Sequence, residues 1–299
     1  MQRMKRILIA VATGLVFTAF LVTLLAADNA MHVPRQSPRS EAADAIGRQT
    51  GATWRSIEVT ALDGTLLDAW LFVPHQPNDS VVLVLHGVGD TREGMLGHAK
   101  FLLRGGFTVL TPDSRGHGTS GGDLITHGIR EASDVRTWTD WLLANQPAHH
   151  LYGFGASMGA AILLESLPLE PRFRAIVVES AFATFEEISY DRLNQVSGIP
   201  RIALWPEVGL GFLYVHLRYG VDLRQASPAN AIRSTHVPIL LIHGTEDANI
   251  PLRHSQELHA LNPGATQLWI VRGADHVQAL SKDPALYSQT VVSWFASHR

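Results

Sequence analysis

The sequence predicts an α/β domain built on a mostly parallel sheet with helices on both faces. Three observations carry that reading. From residue 81 onward, short aliphatic and β-branched runs alternate with helical stretches, the pattern of a sheet covered on both sides. The polar clusters follow those runs directly, at strand carboxyl ends, where such sheets bind ligands. Finally, Gly155-Ala156-Ser157-Met158-Gly159 stands between the apolar run 151–154 and the helix-forming stretch 160–167. Strand, sharp turn and helix around G-x-S-x-G is the context of a nucleophile elbow.

The N-terminus is a separate unit. Arg3, Lys5 and Arg6 precede a run from Ile7 to Ala27 that carries no charge. Roughly 20 apolar residues span a bilayer, so residues 1–27 are expected to form a signal anchor. Basic residues before the span and Asp28 after it orient the N-terminus to the cytoplasm and the rest to the periplasm or exterior. The run is longer than a signal-peptide core, and cleavage after Ala27 would leave Leu25 at −3, a poor match. Cleavage would make the protein secreted rather than anchored. Residues 28–54, with Pro34 and Pro38 among Ser, Arg and Gln, read as a linker or a loosely docked helix.

Residues 55–299 form the main domain. Residues 55–61 and 65–73 read as strands joined at Asp63-Gly64, a hairpin signal. The run 81–85 suits a central strand buried on both faces. Helices are expected over 95–104, 129–145 and 284–298, and further strands over 107–111, 175–178, 238–242 and 267–271. The stretch between the strands at 175–178 and 238–242 exceeds a normal crossover. It holds Phe182, Phe185, Trp205, Phe212, Tyr214 and Tyr219, and Trp205-Pro206 marks a helix start.

Composition narrows the chemistry. The chain has 299 residues, 46% of them hydrophobic and 17% charged, and a net charge of −3. It is globular and carries no nucleic-acid footprint. With no cysteine, disulfides, thiol nucleophiles and Cys-based zinc sites are excluded.

A serine hydroxyl needs a base to become a nucleophile. Ser157 is the candidate nucleophile. His276, in the loop after the last strand, is the candidate base among 15 histidines. Asp247, after the penultimate strand, is the candidate orienting acid; Glu246 and Glu179 are the alternatives. The two oxyanion donors are expected to be the backbone N–H groups of Met158 and Val88. Arg115 and His117 are read as braces of a glycine-rich loop. His149 and His150 point to opposite faces of a strand and do not share an ion. No cofactor or metal is expected.

These motifs together resemble the α/β-hydrolase superfamily from about residue 55 to the C-terminus, through HGVGD, DSRGHGTSGG, GASMG, HGTEDANIP and GADH in that order. The likeness is to the bacterial membrane-anchored or secreted branch near the serine aminopeptidase-like and acylglycerol-lipase-like hydrolases. It implies an eight-stranded sheet with an antiparallel second strand, and a small helical cap at about 182–230. Ala160 departs from the branch, which often has glycine there. The resemblance implies a carboxylic-ester hydrolase acting on a small molecule with an apolar acyl group, through a Ser-His-Asp triad. A peptidase with the same triad and a non-catalytic binding protein are the alternatives. In the cap, Trp205 and Phe212 are candidates for an acyl-binding wall, or else form the cap's own core.

Overall fold

Alternation along the strands decides the layering. In the run 81–85, Val81, Leu83 and Leu85 face one side of the sheet, and Val82 and Val84 face the other. Both sides are covered. The computed structural model describes residues 2–299; Met1 lies outside the described residues, as do the side chains of Ala12, Leu15 and Val16.

The strands are β1 (Thr53–Thr60), β2 (Leu66–Val73), β3 (Ser80–Leu85), β4 (Thr108–Pro112), β5 (His150–Ala156), β6 (Phe173–Glu179), β7 (Ile239–Gly244) and β8 (Thr266–Val271). They form one eight-stranded sheet in the order β1-β2-β4-β3-β5-β6-β7-β8. β2 runs antiparallel to both β1 and β4, and the other pairings are parallel.

The helices are α1 (Gln2–Met31), α2 (Ser40–Thr50), α3 (Leu96–Arg104), α4 (Glu131–Asn145), α5 (Met158–Ser166), α6 (Phe185–Ser197), α7 (Trp205–Tyr219), α8 (Pro228–Ile232), α9 (Arg253–Leu261), α10 (Ala279–Lys282) and α11 (Pro284–Ala296). Trp138 of α4, Leu163 of α5 and Leu258 of α9 pack on one face. Leu102 of α3 and Tyr287 and Phe295 of α11 pack on the other. Each such side chain contributes about 1.5–3 kcal/mol by leaving water. The sheet is thereby fixed as a rigid platform, with its loops free to carry chemistry.

α6 and α7 make the cap. Pro206 sits in the first turn of α7, where a missing N–H costs nothing. Val208, Phe212 and Val215 face inward onto Met31 at the end of α1. Asp28 accepts hydrogen bonds from Tyr214 (3.1 Å) and Tyr219, tying α1 to α7.

The N-terminal boundaries therefore need correction. α1 runs to Met31, four residues past the expected end, because Met31 has a buried seat in the cap. Of the two readings of residues 28–54, linker or docked helix, the structure has the docked helix, α2. α2 buries Ala43 and Ile46, and Trp54 Nε1 donates to Asp44 at 2.9 Å. Its apolar face is short and diluted by Ser, Glu, Arg and Gln, which left its bounds unreadable. The expectation of a membrane span over residues 1–27 falls in part outside the described residues. Among the described residues no helix is long and apolar enough to cross a membrane.

Candidate active site

β5 ends at Ala156 and α5 begins at Met158, so Ser157 alone makes the turn. Its backbone is forced to φ 55°, ψ −118°, a conformation that costs energy and is kept where the surroundings over-determine it. A Cβ on Gly155 would stand 2.4 Å from Gly159 O, and one on Gly159 would stand 2.4 Å from Leu85 O. The elbow is that tight because α5 packs directly on β3. The Ser157 N–H donates to Glu179 O at 2.9 Å, pinning the turn to β6.

His276 comes from the loop after β8. Its Nε2 lies 2.9 Å from Ser157 Oγ, and its Nδ1 lies 2.9 Å from Asp247 Oδ2. A carboxylate beside Nδ1 assigns the proton there, leaving Nε2 to accept from the serine hydroxyl. Asp247 Oδ1 also accepts the N–H groups of Asn249 (3.0 Å) and Ile250 (2.8 Å). Burial pushes the Asp247 pKa up, but hydrogen bonds from His243 and His276 outweigh it and hold the group well below the usual carboxylate range. The two alternative acids do not reach His276. Glu179 accepts instead from Ala279 N–H and Tyr287.

Two supports were not foreseen. His243, at the end of β7, has no solvent exposure; its Nε2–H donates to Ile250 O (2.8 Å) and lies 3.3 Å from Asp247 Oδ2, while Nδ1 accepts from Ser255 (2.6 Å). Asp275 Oδ1 accepts from His276 N–H (2.7 Å) and Ala248 N–H (3.0 Å), joining the histidine loop to the aspartate loop. The signal for His243 was present: His-Gly directly follows β3 and recurs as the last two residues of β7.

The loop after β3 folds against the elbow, and a Cβ on Gly87 would lie 3.2 Å from Ser157 Cβ. His86 Nδ1–H donates to Gly87 O (2.7 Å), and its Nε2 accepts from Ser114 N–H (3.0 Å). His117 Nε2 accepts from Gly89 N–H (3.2 Å). Burial, then the neighbouring His86, pushes the His117 pKa down to about 4, so the ring is neutral and free to accept. Val88 lies in this loop and Met158 opens α5. Neither N–H finds a protein acceptor among the described residues, as donors kept for an oxyanion require. Arg115 braces the glycine-rich loop through Asp134 (2.6 Å) and Asp63 (2.8 Å).

Phe182, Ile188 and Ile250 pack around Ala161, one turn beyond Ser157. The cap candidates lie elsewhere. Phe212 is buried in the cap, stacked on Phe185 with ring centroids 6.1 Å apart. Trp205 is 67% exposed at the start of α7. Of the two readings, acyl wall or cap core, the placement of Phe212 fits the cap core; apolar content marked the cap but not which aromatics face its interior. Among the described residues no cluster of three His, Asp or Glu side chains is arranged to hold a metal ion.

Comparison with known proteins agrees with this fold. Residues 76–210 match the family model described as serine aminopeptidase, S33. The Pyrococcus furiosus esterase Pf2001 superposes with a TM-score of 0.72 at 24% identity, over 89% of this chain and 99% of that one. The chain has the α/β-hydrolase fold. This α/β hydrolase is of the serine-hydrolase type. It is 26% identical to the protein YqkD of Bacillus subtilis over 96% of each chain. It is 27% identical to YfhR of Escherichia coli, over 81% of this chain and 80% of that one.

Proposed function

We propose that this α/β hydrolase is a carboxylic-ester hydrolase that works through an acyl-enzyme on Ser157. The observation that carries the reading is the line Ser157 Oγ, His276 Nε2, His276 Nδ1, Asp247 Oδ2, with 2.9 Å at each contact. In the first half-reaction Ser157 Oγ attacks the ester carbonyl and its proton passes to His276 Nε2. Negative charge on the carbonyl oxygen meets the N–H groups of Val88 and Met158. Asp247 stays ionised and stabilises the imidazolium. Collapse expels the alcohol, which takes the proton from His276. Water then repeats the sequence and releases the acid.

The apolar side chains of Phe182, Ile188 and Ile250 near the elbow support an apolar acyl group. The esterase among the structural neighbours is consistent with ester chemistry. The second reading is a serine aminopeptidase, favoured by the description of the matched family. Comparing kcat/KM on p-nitrophenyl esters and aminoacyl anilides, with Ser157→Ala as control, separates them. Ester turnover at least a hundredfold above anilide turnover is expected. The reverse ranking overturns the ester reading.

The segment Ile7–Ala27 is, in this reading, a retained membrane anchor with the hydrolase domain outside the cytoplasm. Its uncharged run, the preceding basic residues and the exposure of Ile7, Leu8, Ile9 and Leu25 support it. Carbonate-resistant sedimentation with membranes and an intact N-terminus are expected. A mature chain beginning near Asp28 contradicts it.

A further inference from the structure

Val277 follows His276 and has φ 54°, in the left-handed region that β-branched residues avoid. Facing it, Ser180 has φ 56°. The two strained residues meet: the Val277 N–H donates to Ser180 Oγ at 3.3 Å. Two residues on, the Ala279 N–H donates to Glu179 Oε1 at 3.0 Å. The other oxygen, Oε2, accepts from the Tyr287 hydroxyl of α11 at 2.5 Å. Glu179 is almost wholly buried. The same residue's backbone O takes the Ser157 N–H (2.9 Å), and the Ser180 N–H donates to Ile242 O (2.9 Å) on β7.

We infer that Glu179 and Ser180 form a clamp that holds the strained His276 loop in register with Ser157, and so act as positioning residues for the reaction proposed above, on which this inference rests. One dipeptide at the end of β6 touches both halves of the machinery: its backbone fixes the elbow and its side chains fix the histidine loop. A Val at positive φ persists only when its neighbours over-determine it. Released from Ser180 and Glu179, Val277 relaxes to negative φ and carries the imidazole off the line between Ser157 and Asp247. The role differs from that of Asp247. Glu179 touches no reacting atom and acts on the loop backbone.

The strain supplies the test. Ser180→Ala removes the acceptor for Val277 and little else, and Glu179→Gln keeps the shape while weakening the acceptor. Each is expected to lower kcat by about ten- to a hundredfold at nearly unchanged KM, the size of loss that follows an ångström-scale misplacement, with the melting temperature little changed for Ser180→Ala. Glycine adopts positive φ freely. In a Val277→Gly background, Ser180→Ala is therefore expected to cost less than a third of what it costs alone. A loop held merely for stability would show no such rescue and no split between kcat and KM. Wild-type kcat in Ser180→Ala, or an equal loss in both backgrounds, overturns the clamp. Ser157→Ala is the control on the underlying reading: if it keeps activity, the nucleophile assignment fails, and if it is dead while Ser180→Ala is unimpaired, the clamp alone fails.

Discussion

His243 Nε2 stands 3.3 Å from Asp247 Oδ2, and neither side chain has any exposure to solvent. Asp247 thus faces two imidazoles, one 2.9 Å from Ser157 Oγ and one locked to Ile250 O and Ser255. A buried carboxylate stays ionised only with such partners.

His243→Gln is therefore expected to lower kcat by roughly ten- to a hundredfold through a misplaced Asp247. It also changes the dependence of stability on pH. The Asp247 pKa is depressed in the folded protein. Its stabilising contribution is thus complete above the unfolded value, about 3.9, and is lost as pH falls through the folded one. With one donor gone the depression shrinks, so wild type exceeds the variant in stability above about pH 4, and the charge-dependent part of the gap closes at lower pH. Urea unfolding from about pH 1.5 to 6 measures this. A gap that is constant with pH contradicts it.

Both carboxylate oxygens of Glu165 on α5 are buried, and neither makes a hydrogen bond of normal geometry. Burial, and then the charge of Glu131, push its pKa up to about 9. The unfolded chain ionises it near 4.3, so between about pH 4.3 and 9 the unfolded state holds fewer protons and stability falls as pH rises. Glu165→Gln removes this dependence. It is expected to stabilise the protein by several kcal/mol, up to about 5, at pH 8 and by nothing below about pH 4. Parallel melting curves from pH 4 to 8 would show that Glu165 is already ionised in the fold.

The aromatics of the cap region divide by placement. Phe212→Ala empties a site inside the cap and is expected to destabilise by about 3 kcal/mol, with equal loss on short and long acyl esters. Trp205→Ala, on the surface, is expected to change stability by less than about 0.5 kcal/mol. Phe182→Ala acts beside the elbow and is expected to lower kcat/KM more on medium-chain esters than on acetate, by about 0.8 kcal/mol for each acyl methylene left in water. A chain-length series on the three variants decides it. Selectivity lost in Phe212→Ala and kept in Phe182→Ala would reverse the assignment.

Much of this was legible because backbone constraints write themselves into sequence. Gly155 and Gly159 are dictated by neighbours that a Cβ would collide with, and the β3 run is apolar throughout because both its faces are covered. The loops after β3, β7 and β8 announce themselves as polar clusters following apolar runs. Legibility ends where side chains choose among equivalent partners. Asp247 and Glu179 both follow strands, and only the fold shows that one meets an imidazole and the other a loop backbone. His243 has the composition of any strand-end histidine. Phe182 and Phe212 are the same residue in the same insertion, separated only by which element packs over them. α2 was legible only as one of two alternatives, because three small or medium buried residues, Ala43, Ile46 and Gly47, in a short polar helix leave little periodic signal.

The central claim is that Ser157 is the nucleophile, and covalent capture tests it most directly. Treat the protein with a fluorophosphonate, weigh it intact and map the adduct by peptide mass. One adduct per chain is expected, on the peptide containing Ser157, absent in Ser157→Ala and slowed by at least about a thousandfold in His276→Ala. An adduct on another residue, or none in a preparation that still hydrolyses p-nitrophenyl esters, contradicts it.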